Sequence, residues 1–185
     1  MTTPGRGDGV GAAKAVYRSG GVLSGYAPSR LVAVPYDHPE ARRLIQCLYA
    51  EQLALYGFAD DPLAGVVEEF TPPYGLFVLG FLDGSSRAVG CGGWRSLDPQ
   101  TAEVKKMFVQ PKARGASLGR RILELLEQHA AGSGATRLVL ETGHRNQAAL
   151  ALYRRCGYEP LPPYVPGRNP RVNRALVKQT GTQKT

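Results

Sequence analysis

Apolar residues along the chain recur at two periods, and the points where the period changes mark its elements. Leu31 to Val34 is a short apolar run closed by Pro35. Beyond Asp37, residues Ala41, Leu44, Ile45, Leu48 and Ala50 to Leu55 fall at three- and four-residue spacings, which predicts a strand followed by a long amphipathic helix. Gly75 to Leu82 and Ala88 to Leu97 read as two strands around Asp83-Gly84, a dipeptide suited to the positive φ of a hairpin turn. A third strand, Ala102 to Val109, follows the turn Asp98-Pro99-Gln100. Leu118, Ile122, Leu125, Leu126 and His129 then recur at helical spacing with Glu124, Glu127 and Gln128 opposite, until Gly132-Ser133-Gly134 ends the pattern.

The last third repeats the alternation on a shorter scale. Leu138-Val139-Leu140 is a buried strand, Asn146 is an N-cap, and Gln147 to Cys156 is a helix stopped by Gly157. Strands at Tyr158 to Leu161 and Arg174 to Val177 flank a proline-rich loop. The order of elements predicts one α/β domain with a mixed, mostly antiparallel central sheet flanked by helices. The domain is expected over residues 29–178, with 1–28, rich in Gly, Ala and Ser, and 179–185 as flexible tails. Asp60, Asp61, Glu68 and Glu69 lie in a stretch punctuated by Pro and Gly that holds a further short helix.

Length and charge narrow this picture. At 185 residues the chain fits a single domain, and its formal charge of +8 raises nucleic acid or anionic membrane as partners. The distribution argues against both. Residues 1–30 carry a net +3 and 168–185 a net +5, so the interior is neutral. Within that interior, 31–104 has 10 acids against 4 bases, while 105–167 has 10 bases against 4 acids. No basic–aromatic platform for nucleic acid is visible. Three cysteines, Cys47, Cys91 and Cys156, lack metal-ligand spacing and are expected as buried thiols rather than disulfides or a zinc site. With no apolar run near the ~20 residues that span a bilayer and no hydrophobic signal core, a cytoplasmic location is expected.

Residues 104–123 carry the first chemical signal. A strand, a glycine-containing turn and the start of an amphipathic helix together build an anion pocket, because a helix N-terminus offers unpartnered N–H groups and the positive end of the macrodipole. The segment Val109-Gln110-Pro111-Lys112-Ala113-Arg114-Gly115-Ala116-Ser117-Leu118-Gly119-Arg120 resembles the acyl-CoA pyrophosphate loop of GNAT-type N-acetyltransferases. Asn146 to Tyr158, with Leu152-Tyr153 ahead of Gly157-Tyr158, resembles the final helix of the same family. Neither motif is specific alone, but the two occur together with a strand between them. The likeness covers residues 31–178.

The resemblance implies an acyltransferase that uses acetyl-CoA as acyl donor, with no metal, and moves the acetyl group to a primary amine in a ternary complex. It implies that backbone N–H groups of Gly115, Ala116, Ser117, Leu118, Gly119 and Arg120 hold the pyrophosphate, with charge from Arg114 and Arg120. Met107, Phe108 and Val109 would lend backbone groups to the pantetheine arm, as an added strand does, and Asn146 and Tyr153 would complete the site. Ser117 departs from the family pattern by standing where a glycine is usual, which places a Cβ and a hydroxyl in the turn.

For the chemistry, the resemblance implies that Tyr153 is the acid that protonates the departing thiolate. The alternative is a core aromatic beside Leu150 and Leu152. An amine acceptor must lose a proton before it attacks, and Glu103 on the central strand is the leading base, its rival reading being a cross-strand partner of Arg95 or Lys105. Glu141 is the second carboxylate to test and His144 the third group, whereas His38 and His129 are expected to do nothing chemical. The acids at 60, 61, 68 and 69 fall where the family builds its acceptor site and imply a negative cleft for a cationic amine. Two other functions stay open: a non-catalytic acyl-CoA sensor with the same fold, and a nucleic-acid binder using the basic tails. Exposed strand edges make a homodimer possible.

Overall fold

A computed structural model describes residues 16–18, 29–62 and 65–180. In chain order the elements are β1 (Val16–Arg18), β2 (Ser29–Ala33), α1 (Pro39–Tyr56), β3 (Gly75–Leu82), β4 (Gly90–Asp98), β5 (Thr101–Val109), α2 (Leu118–Gly132), β6 (Arg137–Gly143), α3 (Gln147–Arg155), β7 (Glu159–Leu161) and β8 (Asn173–Gln179). Short 3₁₀ turns at Val67–Phe70 and Pro111–Ala113 complete the set. The strands form one sheet of order β1-β2-β3-β4-β5-β6-β8-β7. Every neighbouring pair is antiparallel except β5 and β6. The mixed, mostly antiparallel sheet expected from the pattern is therefore present.

One boundary differs. Val16–Arg18 pairs with Leu31 and its neighbours in β2, so the sheet extends into the stretch assigned to an N-terminal tail, while most of 1–28 and all of 181–185 lie outside the described residues. A three-residue edge strand is too short for its periodicity to be visible in the sequence. At the other end, β8 runs two residues beyond the expected stop at Val177.

The sheet divides the core into two layers, and β3 shows why. Its residues are buried from Gly75 to Phe81, and successive side chains leave the sheet on opposite faces. Leu76 and Val78 join Leu118, Ile122, Leu126, Leu150 and Tyr153, the layer beneath α2 and α3. Phe77, Leu79 and Phe81 join Leu44, Ile45, Phe70 and Tyr36, the layer beneath α1. A strand buried on both faces loses its alternation, which is why β3 appears in the sequence as a continuous apolar run.

The start of α1 is fixed by local chemistry. His38 Nδ1 accepts from Glu40 N at 3.2 Å, Pro39 takes the first helical position, and Gly57 at φ 75° ends the helix. Glu40 then ties the helix to the β3–β4 hairpin: its carboxylate accepts from Ala88 N at 3.0 Å and from Arg43 at 2.8 Å. The bonds with Arg43 and, next, with Ala88 outweigh burial and hold Glu40 down at about 2, against an ordinary 4.5. A depressed carboxylate contributes stability that is fully present above the unfolded value and lost as pH falls through the folded one. Glu40→Gln is therefore expected to lower stability by about 1–2 kcal/mol at pH 7, with the difference shrinking between pH 4.5 and 2. Denaturant unfolding of both proteins across that range checks it.

Candidate functional site

Three features of the sheet centre build the site. First, β5 leaves its neighbour. Its parallel pairing with β6 stops at Val104 opposite Leu140, after which β6 continues beside β8 to Gly143 and β5 continues beside β4 to Val109. The edge of β5 from Lys105 to Val109 is thereby open toward the gap. Second, the departure coincides with a β-bulge: Cys91 opposes Phe108 but Gly93 opposes Lys105, so Gly92 faces Lys106 and Met107 together. Lys106 adopts φ 56°, and a Cβ at Gly92 would come within 2.4 Å of Met107 Sδ. A bulge increases local twist and turns the strand away from its old plane.

Third, the chain leaving β5 enters the N-terminus of α2 through two left-handed residues, Gly115 at φ 85° and Ser117 at φ 56°. Backbone partners exist for the N–H groups of Ala113 and Arg114 and again for Arg121, but among the described residues none is formed by those from Gly115 to Gly119. These donors crowd one helix end, the arrangement that binds phosphate. Ser117 is the N-cap residue of α2 yet its hydroxyl makes no capping bond, so it is available to a ligand.

The open edge of β5 and the start of α2 enclose a cleft of about 450 Å³. All the cofactor-binding residues expected from the sequence line it except Ala116, which the turn carries to one side. Glu51 and Leu48 of α1 and Leu152 of α3 also line the cleft, and sequence reasoning missed them. They read as ordinary helix positions, and only the packing of α1 and α3 brings them here. Glu51 matters for charge: Arg114 donates to it at 2.5 Å and to Val109 O at 2.9 Å, which pins the loop to both α1 and β5. Arg120 is bonded to Glu124 at 2.7 Å. The two arginines thus face the cleft already matched to carboxylates.

Asn146 accepts from Ala149 N at 3.2 Å, the cap expected from the sequence, and also lines the cleft. Tyr153 follows on α3, 5 % exposed, with its ring 5.6 Å from that of Tyr158. Tyr153 packs as a core aromatic and also lines the cleft. Burial pushes its phenol far above the usual tyrosine value, so the group stays protonated.

A second cleft of about 130 Å³ lies further back along β5, beside residues 103–106, and Leu48 lines both. Glu103 and Glu141 line it from β5 and β6, Asp60 and Arg168 from loops, and Lys105 and Lys106 from the bulge. Glu103 is 2 % exposed and saturated with donors: Arg95 Nε at 2.8 Å, Tyr164 hydroxyl at 2.8 Å and Lys105 Nζ at 3.3 Å. Burial would raise its pKa, but Lys105, Tyr164 and Arg95 together bring it below the ordinary value. The reading of Glu103 as a cross-strand partner is met by Arg95 on β4, inside the sheet rather than on its surface, while Lys105 is its neighbour on β5 itself.

Glu141 is the opposite case. Burial raises its pKa above the carboxylate norm, against the pull of Arg168. Its Oε1 is buried with no hydrogen-bond partner, and Arg168 Nε stands 3.3 Å from Oε2. His144 lines neither cleft; its Nδ1 faces Val172 O at 3.3 Å. Cys91 is buried and pushed up to about 12 by that burial, as an inert thiol.

The negative acceptor cleft expected from the acids at 60, 61, 68 and 69 is not formed. Of these only Asp60 lines the second cleft, where it is held by Arg168, and Glu69 is bonded to Arg95 at 2.8 Å. Three acids and three bases line that cleft. Among the described residues, no group of three His, Cys, Asp or Glu side chains is placed to hold a metal ion, and no helix is long and apolar enough to cross a membrane.

Comparisons with known proteins agree with this geometry. The profile of the acetyltransferase (GNAT) family matches residues 38–158. A protein of Azospirillum brasilense named IAA acetyltransferase is 44% identical over 84 residues, which cover 44% of this chain and 54% of that one. The chain thus matches about half the length of that relative. A Schizosaccharomyces pombe protein named as an uncharacterized N-acetyltransferase is 28% identical over 148 residues, 76% of this chain and 88% of that one. A crystal structure from Klebsiella pneumoniae, provisionally named an acyl-CoA N-acyltransferase, superposes with a TM-score of 0.71 at 27% identity, covering 83% of this chain and 98% of the other.

The left-handed backbone at Ser117 yields a prediction. A non-glycine residue there carries a penalty of about 1–2 kcal/mol, of which glycine's greater unfolded-state freedom cancels part. Ser117→Gly is expected to leave acetyl-CoA affinity unchanged or improved and to raise stability slightly. A large loss of affinity in titration calorimetry would assign the hydroxyl a phosphate contact that glycine cannot replace.

Proposed function

Because the chain belongs to the GNAT acetyltransferase family, we propose that it transfers an acetyl group from acetyl-CoA to a primary amine by direct attack in a ternary complex. One observation carries this reading: the unpartnered N–H groups from Gly115 to Gly119 and the open edge of β5 border the same cleft. The first suits a pyrophosphate, and the second suits the amide-bearing arm that joins it to the thioester. Acetyl-CoA supplies an activated acyl group; the chain supplies position and proton handling.

Position comes from the backbone. Gly115 and Ser117 turn the loop so that several N–H groups converge, and Arg114, fastened to Glu51 and Val109 O, fixes the loop against β5. Proton handling divides between two side chains. Tyr153 lines the donor cleft and keeps its proton, so it is the group that donates to the departing sulfur. Its high pKa suits a hydrogen bond that steadies a thiolate rather than outright loss of the phenolic proton.

For the base, the assignment moves from Glu103 to Glu141. A carboxylate held by three donors at a lowered pKa is a weak proton acceptor, whereas a buried carboxylate with a raised pKa and an unpartnered oxygen is a stronger one. Glu103 serves instead to position Arg95, Lys105 and Tyr164 beside the second cleft, which in this reading receives the acceptor.

Two outcomes test this division. Tyr153→Phe is expected to lower kcat on the order of 100-fold with CoA binding intact; full turnover with intact binding removes Tyr153 from the mechanism. Glu141→Gln is expected to abolish the acid limb of the kcat/KM profile, which in the parent enzyme falls as pH drops through the raised carboxyl pKa. A profile whose acid limb survives in Glu141→Gln and vanishes in Glu103→Gln reverses the assignment.

A further inference from the structure

The acceptor cleft contains a cation that its other charges do not match. Lys105 lies 3.3 Å from Glu103, and Arg168 is bonded to Asp60 and lies 3.3 Å from Glu141. Lys106 forms no ion pair and no side-chain hydrogen bond among the described residues. Its ammonium feels Asp60 and Asp61 only at a distance, and burial followed by the like charge of Lys105 draws its pKa down. An ammonium in that setting gains from an anion beside it.

Strand geometry supplies the second observation. Glu103, Val104, Lys105 and Lys106, four consecutive residues of β5, all line the acceptor cleft, and Lys106 is the one among them in left-handed backbone. The bulge opposite Gly92 holds Lys106 at φ 56° where β5 borders the cleft. Lysine is an uncommon occupant of left-handed backbone. The chain therefore sustains a disfavoured conformation at the lining cation that has no ion pair among the described residues.

Size and charge balance define what the cation receives. About 130 Å³ accommodates a compact acceptor. One unmatched ammonium is a point charge suited to a monoanion; a phosphate would call for a further unmatched cation, and Lys105 and Arg168 are both engaged. Asp60, Glu103 and Glu141 against Lys105, Lys106 and Arg168 leave the lining neutral, the condition that suits a zwitterion.

We propose that the acceptor is a small α-amino acid whose carboxylate is bound by Lys106 while its amine faces Glu141. The acceptor class rests on the acetyl-transfer reading, but recognition of the carboxylate is measurable without turnover. Glycine, alanine, serine and threonine are compared with their carboxamides, as acceptors in a CoA-release assay and as ligands in titration calorimetry with CoA present. At least one acid is expected to exceed its amide at least tenfold in kcat/KM and in affinity. Lys106→Asn, which removes the charge while suiting left-handed backbone, is expected to reduce that acid-to-amide ratio at least tenfold, chiefly through KM. Lys106→Arg is expected to retain most of it, and calorimetric CoA binding verifies that both variants fold.

Amides that match the acids, no binding of any acid, or a Lys106→Asn variant with an unaltered ratio overturns the proposal. Acid-selective binding that depends on Lys106, without CoA release, upholds carboxylate recognition and overturns the transfer reading instead.

Discussion

The bulge where Gly92 opposes both Lys106 and Met107 is the constraint on which the rest of the site depends. A sheet with β5 and β6 paired along their whole length would be continuous at its centre and would have no gap for a ligand. The extra residue twists β5 out of register with β6 beyond Val104, and the freed edge becomes one wall of the donor cleft. The same twist determines where the chain enters α2, and hence where the N–H groups from Gly115 to Gly119 converge. It also holds Lys106 where β5 borders the acceptor cleft. A Cβ at Gly92 would displace the side chain of Met107, whose Sδ would lie 2.4 Å away.

Much of this was legible in the sequence because the determining signals are local. Apolar periodicity marks α1 and α2, Asp83-Gly84 marks the hairpin, and Asn146 caps α3 as its side chain predicts. The loop from Arg114 to Arg120 could be placed because its glycine turn occurs together with the Asn146 to Tyr158 pattern, one strand further on. What escaped is non-local. No periodicity reveals that Val16–Arg18 adds an edge strand, since three residues carry too little pattern. Glu51 faces the donor cleft only because α1 crosses the end of β5, and the loop around Arg168 reaches Asp60 from 108 residues away. Charge counts misled for the same reason: acids adjacent in sequence at 60, 61, 68 and 69 disperse in space, and bases from distant segments match those that reach the cleft.

The division between Glu103 and Glu141 shows how the fold differentiates two like groups. They stand on neighbouring parallel strands, Glu103 opposite Val139 and Glu141 two residues further on, and both are largely withdrawn from water. Burial alone would raise the pKa of each. Glu103 points to where β4, β5 and the β7–β8 loop bring Arg95, Lys105 and Tyr164 within bonding distance, and these donors more than offset the desolvation. Glu141 lies beyond the point where β5 has departed, so no pairing with β5 continues beside it, and its ion-pair partner among the described residues, Arg168, is shared with Asp60. The splay that opens the donor cleft is thus also what deprives Glu141 of partners and leaves it the more basic of the two carboxylates. Sheet geometry and proton affinity are consequences of one irregularity in β5.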